Sequence, residues 1–280
     1  MTFNLPTPPQ FAGAFFRRLS RIACSSLMLL ALAAPLPAVD MLYVSLGTTI
    51  VSFDTTGNVG STIAASMATF ASTNLNGPTG LAFDSTGNLY AANGGDNTIS
   101  KFNSSGAYLS NITTNLSSPV GLAFDSTGNL YAANAGDNTI SKFNSSGAYL
   151  SNITTNLVSP YCLAFDSTGN LYAASAGDNT ISKFNSSGTY LSNITTNLVG
   201  PLSLAFDSTG NLYAANYTDS TISKFNSSGT FLTSWSTGST PPTYLAFKPV
   251  TVPEPSTYAL ATIATGVLAY LARRRKARTA

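Results

Sequence analysis

The chain has 280 residues, of which 9% are charged and 44% are hydrophobic. An ordinary soluble domain has about 25% charged residues, and a disordered chain lacks this hydrophobic content. The chain contains no histidine, which excludes histidine metal sites, Ser-His-Asp and Cys-His nucleophile systems and histidine general bases. Its two cysteines, Cys24 and Cys162, are too few for a disulfide framework or a zinc site.

The charges are distributed by segment. Residues 1–38 carry three arginines, and residues 251–280 carry five basic residues and one glutamate. Residues 39–250 carry five lysines and ten aspartates, so this middle segment has a net negative charge. Nucleic-acid binding requires clustered basic charge on the folded part of a protein. The sequence therefore predicts no nucleic-acid partner.

Residues 1–38 have the pattern of a secretory signal peptide. Its basic part contains Arg17, Arg18 and Arg21, and an apolar stretch predicted to be helical follows. Signal peptidase is expected to cleave after Ala38, where small residues precede the middle segment. A retained membrane anchor is the alternative, but the apolar stretch is short for a span and prolines at its end would break a helix.

The middle segment, 39–250, consists of a repeat of 41 residues. The sequence Gly-Leu-Ala-Phe-Asp-Ser-Thr-Gly-Asn-Leu-Tyr recurs almost unchanged, and its aspartate falls at Asp84, Asp125, Asp166 and Asp207. Self-similarity at this period is typical of solenoids and propellers. Helical periodicity is absent from the pattern.

Each repeat predicts four short antiparallel strands, which in the first complete copy are 81–83, 89–92, 99–102 and 107–113. Turns rich in Asp, Asn and Gly separate the strands. Four short antiparallel strands in about 40 residues form one blade of a β-propeller. We therefore predict an all-β fold, a β-propeller of four-stranded blades.

Five blades are predicted. Complete repeats begin at Gly80, Gly121, Cys162 and Ser203. A partial repeat before them supplies three strands and a partial repeat after them supplies one, so both ends of the segment would close the fifth blade. This closure leaves no lone edge strand. An open or differently closed array is the alternative.

The repeat resembles NHL-type propeller repeats. The matching residues, at 78–102, are Pro-x-Gly-Leu-Ala-Phe-Asp-Ser-Thr-Gly-Asn-Leu-Tyr-Ala-Ala-Asn and then Asp-Asn-Thr-Ile-Ser-Lys-Phe. The resemblance implies a propeller over about 40–250. Relatives with such repeats include protein-binding modules, sensor ectodomains, lyases and lactonase-like enzymes, and likeness of fold does not choose among them.

Residues 251–280 form a tail in three parts. In order, these are the motif Pro253, Glu254 and Pro255, an apolar run from 256 to 272, and a basic cluster of Arg273, Arg274, Arg275 and Lys276. The apolar run is just long enough for a transmembrane helix. A basic cluster after such a helix prefers the cytoplasmic side of the membrane. Together with the signal peptide, this helix predicts a topology in which the middle segment is outside.

The tail resembles the PEP-CTERM sorting signal. In that family an exosortase-type membrane enzyme recognises the tail, cleaves near the motif and releases or re-attaches the protein at the surface. The hosts are mostly Gram-negative bacteria that make extracellular polysaccharide. A simple tail anchor is the alternative, and it leaves the Pro-Glu-Pro motif unexplained.

Eight of the ten aspartates recur in two turns of the repeat, and we interpret them as turn formers. No catalytic residue, cofactor-binding residue or metal ligand is predicted, with calcium at an Asp/Asn loop as the alternative. Cys162 stands where other repeats have Gly or Ser. We interpret it as a small residue in a crowded strand, since no histidine is present to activate it.

One lysine recurs in the third strand of each repeat. The four are Lys101, Lys142, Lys183 and Lys224. We interpret them as a solvated strand face that discourages edge pairing, with a positive ring that contacts acidic polysaccharide as the alternative. Recurring tyrosines of the second and fourth strands, such as Tyr90 and Tyr108, are interpreted as packing between blades, with sugar stacking as the alternative.

These features predict an exported, surface-sorted propeller that acts as a binding or structural module of the cell envelope or extracellular matrix and is not an enzyme. The repeats that begin at Gly80 and Gly121 differ at three positions only, and equivalent blades suit weak multivalent contacts. Candidate partners besides the two processing enzymes and the membrane are exopolysaccharide and surface proteins. The alternative is a calcium-dependent propeller hydrolase or lyase in which carboxylates of several blades converge.

Overall fold

The computed structural model describes residues 41–46, 48–54 and 68–245, and all regular structure in these ranges is β-strand. Within these ranges, nineteen strands form five sheets. Among the residues described, no helix has the length and apolar character that a membrane span requires. The predicted signal helix and C-terminal transmembrane helix lie outside these ranges and stay predictions.

The first sheet, sheet 1, has three strands in the order β1-β2-β3. The strands are β1 (Met41–Leu46), β2 (Thr49–Asp54) and β3 (Ala68–Ala71). These are the three strands that the partial repeat at the start of the middle segment predicts. The fourth strand of the predicted composite blade falls on 245–247, of which only Leu245 is described. Closure by both ends therefore stays a prediction.

The other four sheets have four antiparallel strands each, in chain order. Sheet 2 contains β4 (Pro78–Phe83), β5 (Leu89–Asn93), β6 (Thr98–Phe102) and β7 (Tyr108–Ile112). Sheet 3 contains β8 (Pro119–Phe124), β9 (Leu130–Asn134), β10 (Thr139–Phe143) and β11 (Tyr149–Ile153). Sheet 4 contains β12 (Pro160–Phe165), β13 (Leu171–Ser175), β14 (Thr180–Phe184) and β15 (Tyr190–Ile194). Sheet 5 contains β16 (Pro201–Phe206), β17 (Leu212–Asn216), β18 (Thr221–Phe225) and β19 (Phe231–Ser236).

The fold is a β-propeller, as predicted, and its blades are packed through their first strands. β4 contacts β8, β8 contacts β12, and β12 contacts β16. The chain divides into two compact units. The larger, Val44–Val51 with Thr69–Ala280, contains sheets 2 to 5, and the smaller is Met1–Tyr43 with Ser52–Ala68.

The second strand of each complete sheet lies within the core on both of its faces. In β9 the sequence Leu-Tyr-Ala-Ala-Asn is buried at every position, because sheet 2 covers one face and sheet 4 covers the other. The two alanines keep the backbones close, while large side chains such as Phe102 and Ile99 fill the space between sheets and are fully buried. Tyr90 reaches the next sheet, where its ring packs edge-on against Phe124 with centroids 5.0 Å apart. The predicted packing of second-strand tyrosines between blades is confirmed for Tyr90, Tyr131 and Tyr172, whereas Tyr213 stacks on Trp235 of its own sheet.

The tyrosines of the fourth strands do not pack between blades, so that part of the prediction was wrong. Tyr108 packs edge-on against Phe102 of its own sheet at 6.1 Å and remains 41% exposed. The reason is topological. The fourth strand is the edge of its sheet, and the neighbouring sheets contact mainly the first and second strands.

A buried polar network fixes the linker that enters each sheet. In sheet 2, Asn93 donates from Nδ2 to Thr98 Oγ1 and Ser100 Oγ, both at 2.9 Å, and its Oδ1 accepts from the backbone N–H of Asn76 at 3.3 Å. Both polar atoms of the buried Asn93 side chain thus have partners, as burial requires. Ser175 replaces this asparagine in sheet 4, where its hydroxyl accepts from Val158 N at 3.4 Å.

Candidate ligand-binding surface

The four complete sheets have two chemically different ends. At one end lie the turns between the first and second strands and between the third and fourth strands. Their sequences, 84–88 and 103–106 in sheet 2, are identical in all four sheets, and we call this the invariant end. At the other end lie the linkers that precede the first strands and the turns between the second and third strands. We call this the variable end.

The aspartate of the first turn organises the invariant end. In sheet 3, Asp125 Oδ1 accepts from Thr127 N at 3.0 Å, from Thr127 Oγ1 at 2.7 Å and from Asn129 N at 2.9 Å. Its Oδ2 accepts from Asn129 Nδ2 at 2.9 Å. The same bonds recur around Asp84, Asp166 and Asp207. The interpretation of these aspartates as turn formers is confirmed.

These hydrogen bonds change the acidity of the carboxyl groups. Partial burial raises the pKa of Asp125, but the bonds from the side chains and backbone of Asn129 and Thr127 outweigh it, so the net pKa is lowered. Asp84, Asp166 and Asp207 show the same net lowering of the pKa for the same reason. A carboxylate that accepts several hydrogen bonds is stabilised in its charged form.

Each recurring lysine is held by this aspartate and by the tyrosine opposite it. Lys101 lies across the strand pair from Tyr90, with Nζ 4.9 Å from the centre of the tyrosine ring. Its Nζ is also 3.5 Å from Asp84 Oδ2. The other three lysines make the same two contacts. The predicted solvated lysine face is therefore wrong, and the charge of each lysine is balanced within its sheet.

Hydrogen bonds join the variable end into one continuous surface across sheets 2 to 5. Within sheet 2, the N–H of Gly94 donates to the carbonyl of Gly77 at 3.3 Å, so the second turn rests on the linker. Asn97 of that turn accepts from Ser118 N of the next linker at 2.6 Å. The same pair of contacts recurs at the following sheets. Turns and linkers therefore alternate along the surface.

Several differences between the repeats lie at this variable end. The linker position just before the first strand is Asn76, Ser117, Val158 and Val199 in successive sheets. The start of the second turn is Gly94, Ala135, Ala176 and Tyr217. The third position of the first strand is Gly80, Gly121, Cys162 and Ser203, and one repeat further along it is Tyr244. The turn sequences 84–88 and 103–106 show no such differences between the four sheets.

As a result, the variable end is polar on sheets 2 and 3 and apolar further along the chain. Val158, Val199, Tyr217 and Tyr244 are exposed by 42%, 36%, 47% and 73%, and we call them the tyrosine patch. The edge strands also expose leucines, but these occupy the same position in all four sheets. The tyrosine patch breaks the repeat, as does the exposed Trp235 of the edge strand β19, where the other sheets have isoleucine.

Two further side chains lie next to the patch. The whole Tyr244 side chain is largely exposed, but partial burial of its hydroxyl raises the pKa, and nearby Tyr161 and Cys162 raise it further. The Cys162 sulfur accepts from Leu204 N at 3.4 Å, and burial raises the pKa of this thiol. In the equivalent position, the hydroxyl oxygen of Ser203 accepts a hydrogen bond from Leu245 N at 2.9 Å. These contacts support the interpretation of Cys162 as a small packing residue.

The net negative charge of the folded region is located at the variable end. Each second turn carries one exposed aspartate, and these are Asp96, Asp137, Asp178 and Asp219. One carboxylate oxygen of each accepts from a threonine hydroxyl at 2.8 to 2.9 Å. The lysines within 68–245 all belong to the paired set near the invariant end. No positive charge balances these four aspartates in that range.

The described residues bring no three acidic or cysteine side chains close enough to hold a metal ion. The carboxylate cluster that the calcium-dependent alternative requires is therefore not found in that part of the chain. Sequence analysis did not identify the variable end as a site. A position-by-position comparison of all four repeats, rather than of the first two, contains the signal that would have found it.

The C-terminal tail matches a known family model. Residues 251–276 match the PEP-CTERM protein-sorting motif. The predicted sorting residues Pro253, Glu254 and Pro255 and the cluster at 273–276 fall within this match and lie outside the described residues, so their individual roles stay predictions. No curated protein sequence is similar enough to this chain to count as a relative.

Solved structures with the same fold include both an enzyme and a protein complex. The crystal structure of virginiamycin B lyase from Staphylococcus aureus has a TM-score of 0.62 and 15% identity, and the match covers 75% of this chain and 71% of the lyase. A chain of the nidogen/laminin complex has a TM-score of 0.60 and 19% identity, with 71% and 76% covered. These identities show the fold alone.

A third structure is a catalytically inactive histidine-to-alanine variant of the same lyase with quinupristin. Its TM-score is 0.59 at 14% identity, and the match covers 73% of this chain and 77% of that one. The prediction that the chain is not an enzyme was wrong, because its fold is shared with this lyase. That prediction assumed interchangeable blades, and the tyrosine patch shows that the blades are not interchangeable.

The resemblance of the repeat to the NHL type stays a prediction. The propeller fold and the match of the tail to the sorting motif are established by the comparisons. The chain is a β-propeller that is followed by the PEP-CTERM sorting motif of exported, surface-sorted proteins.

Proposed function

We propose that this protein is displayed at the cell surface and binds a ligand through the variable end of its propeller. The observation that carries the proposal is the set of exposed apolar side chains at that end, which replace the polar or smaller residues of sheets 2 and 3. The invariant turns need their residues for the fold, since each aspartate accepts several bonds. At the variable end the backbone bonds persist while the side chains change.

The backbone contacts of the variable end do not depend on the exposed apolar side chains of the patch. Tyr217 replaces glycine or alanine without altering the backbone bond at its position, since its N–H donates to Gly200 O at 3.0 Å. A grouped set of exposed apolar residues on a soluble domain typically marks an interaction site. Tyrosine is among the residues that contribute most binding energy at such sites.

The sorting tail supports display at the surface. We propose that an exosortase-type enzyme removes the tail after export and that the predicted transmembrane helix anchors the precursor until then. Signal peptidase would remove residues 1–38. Exopolysaccharide and other surface proteins are the partners that this location makes available, in the envelope or in the extracellular matrix.

Removal of the last 28 residues, 253–280, is expected to release the exported protein from the cells. The full chain should instead be found in the envelope fraction, in a form shortened at its C-terminus. Immunoblots of medium and envelope fractions measure both. The matched control, Glu254→Gln, keeps the helix and the basic cluster, so it should remain attached at full length. Attachment of the truncated chain would contradict the proposal.

Replacement of the patch by residues that the chain uses elsewhere is expected to weaken ligand binding by about tenfold or more. The variant is Val158→Ser, Val199→Ser and Tyr217→Ala, which copies the equivalent positions of sheet 3. Because the three side chains are exposed, the melting temperature should barely change. Binding of the full chain to an array of glycans and peptides measures the effect.

The control for this variant removes exposed apolar side chains at the sheet edges. Leu109→Ser with Leu150→Ser alters side chains that are 48% and 49% exposed, and it should leave binding on the array unchanged. If the patch variant and the edge variant bind alike, the variable end is not the ligand site.

Lyase activity is a second candidate function, favoured by the shared fold with virginiamycin B lyase. Quinupristin, present in one neighbouring structure, is the compound with which to test it. The lyase variant that lacks one histidine is inactive, and this chain has no histidine. Any such activity here would therefore need a different general base. Consumption of quinupristin by the full chain, measured by mass spectrometry, tests this candidate.

A further inference from the structure

We infer that the ligand of the variable end is a cationic peptide or protein segment with apolar side chains. This inference rests on the proposed function and names the chemistry of the partner. It follows from two properties of the same surface, namely the exposed tyrosine patch and the uncompensated negative charge beside it.

The negative charge of the surface favours a ligand of positive charge. Asp178 and Asp219 are exposed in the second turns of sheets 4 and 5, and the lysines nearest in sequence, Lys183 and Lys224, are paired with the turn aspartates of the invariant end. A surface with unbalanced carboxylates attracts cations and repels anions. Polymers of uronic acids, phosphate or nucleic acid are therefore disfavoured at this end.

The apolar residues lie directly beside these carboxylates. Tyr217 precedes Asp219 by two residues in the same turn. In sheet 4, the turn residue Gly177, next to Asp178, lies against Val158, because a Cβ built on it would be 2.7 Å from Val158 Cγ1. Each carboxylate of sheets 4 and 5 thus has an exposed apolar neighbour, which the polar linkers of sheets 2 and 3 do not provide.

A lysine or arginine side chain satisfies both features at once. Its charged group can pair with a carboxylate or lie over a tyrosine ring, while its methylene stem covers apolar surface. The chain already uses this arrangement at its invariant end, where Lys101 lies over Tyr90 and near Asp84. At the variable end Tyr217 and Asp219 share one turn, and this turn contains no lysine. A neutral saccharide would use the rings but gain nothing from the charge.

The test measures binding of a labelled peptide of alternating lysine and leucine to the full chain by fluorescence anisotropy. Peptides in which glutamate or serine replaces lysine, and dextran, are the comparison probes. We expect the lysine peptide to bind best, and its affinity to fall about tenfold between about 50 mM and about 500 mM salt. Equal binding of dextran or of the serine peptide would overturn the inference.

Two charge-matched variants locate the site. Asp178→Asn with Asp219→Asn should weaken binding of the lysine peptide by about tenfold, since each removes one exposed ion pair. Asp96→Asn with Asp137→Asn removes the same charge from the polar side and should weaken it less than about twofold. The asparagine oxygen can still accept the threonine bond of each turn, so all four substitutions preserve folding, which circular dichroism checks. Equal effects of the two pairs would mean attraction by overall charge and would overturn the inference.

The patch variant of the previous section separates this inference from the proposed function. If that variant loses binding to the array while the aspartate variants and salt have no effect, the variable end is the ligand site and the ligand is not cationic. If the patch variant binds the array and the lysine peptide normally, both the proposed function and this inference are wrong.

Discussion

Acidification from about pH 6 to about pH 3 is expected to lower the melting temperature of the protein by about 10 °C or more. Four aspartates, Asp84, Asp125, Asp166 and Asp207, have a lowered pKa in the folded state because of the hydrogen bonds they accept. In the unfolded chain the pKa of an aspartate is about 3.9. Each of the four turns therefore contains one aspartate whose contribution to stability is lost in acid.

The direction of the effect follows from proton binding. Below about pH 4 the unfolded chain binds protons that the folded chain binds only at lower pH, so acid favours unfolding. Above this range the stabilisation is complete. The chain has no histidine, so stability should be nearly constant from about pH 5 to about pH 8. Thermal unfolding of the full chain, followed by circular dichroism across this pH range, measures both parts of the curve.

A matched pair of variants assigns the acid sensitivity to the turns. Asp125→Asn removes one titrating group with four hydrogen bonds, so it should lower stability at neutral pH by about 1 to 3 kcal/mol and reduce the pH dependence. Asp137→Asn changes a carboxylate with one threonine bond and should have little effect on either. A melting temperature that is constant down to about pH 3 would contradict this assignment.

The strands and turns were predictable from the sequence because their chemistry is local. The Asp-Ser-Thr-Gly-Asn turn closes on itself through Asp84, with the N–H of Gly87 donating to Asp84 O at 3.0 Å. The 41-residue period then repeats this hairpin, so the number of sheets follows from counting. The first strand begins three residues earlier than predicted, at Pro78, because its irregular pairing between Pro78 and Leu81 has no simple alternation.

The contacts of the lysines could be predicted only with the register of neighbouring strands. Tyr90 and Lys101 are eleven positions apart in the chain and directly opposite in the sheet. Their contact follows from the hairpin that the second turn forms, and the residues of this turn are recognisable in the sequence. The variable end was missed for a different reason, since its side chains come from linkers, turns and first strands of several repeats. Only the assembled sheets bring Val158 and the turn at Gly177 together.

Gly106→Ala is expected to destabilise the protein by about 3 kcal/mol or more, which corresponds to a drop in melting temperature of about 10 °C. A Cβ at this position would lie 2.0 Å from the backbone oxygen of Phe70, so the turn and β3 would have to separate. The φ angle of Gly106 is +83°, and alanine is strained in this conformation by about 1 to 2 kcal/mol.

Gly147→Ala provides the matched control in the next sheet. Gly147 has the same turn sequence and a φ of +84°, but its Cβ would meet the flexible end of the Ile112 side chain at 3.3 Å. It should therefore show the conformational strain alone, about 1 to 2 kcal/mol. The difference between the two variants measures the contact of Gly106 with the Phe70 backbone. Equal drops in melting temperature would show that β3 is not packed against this turn.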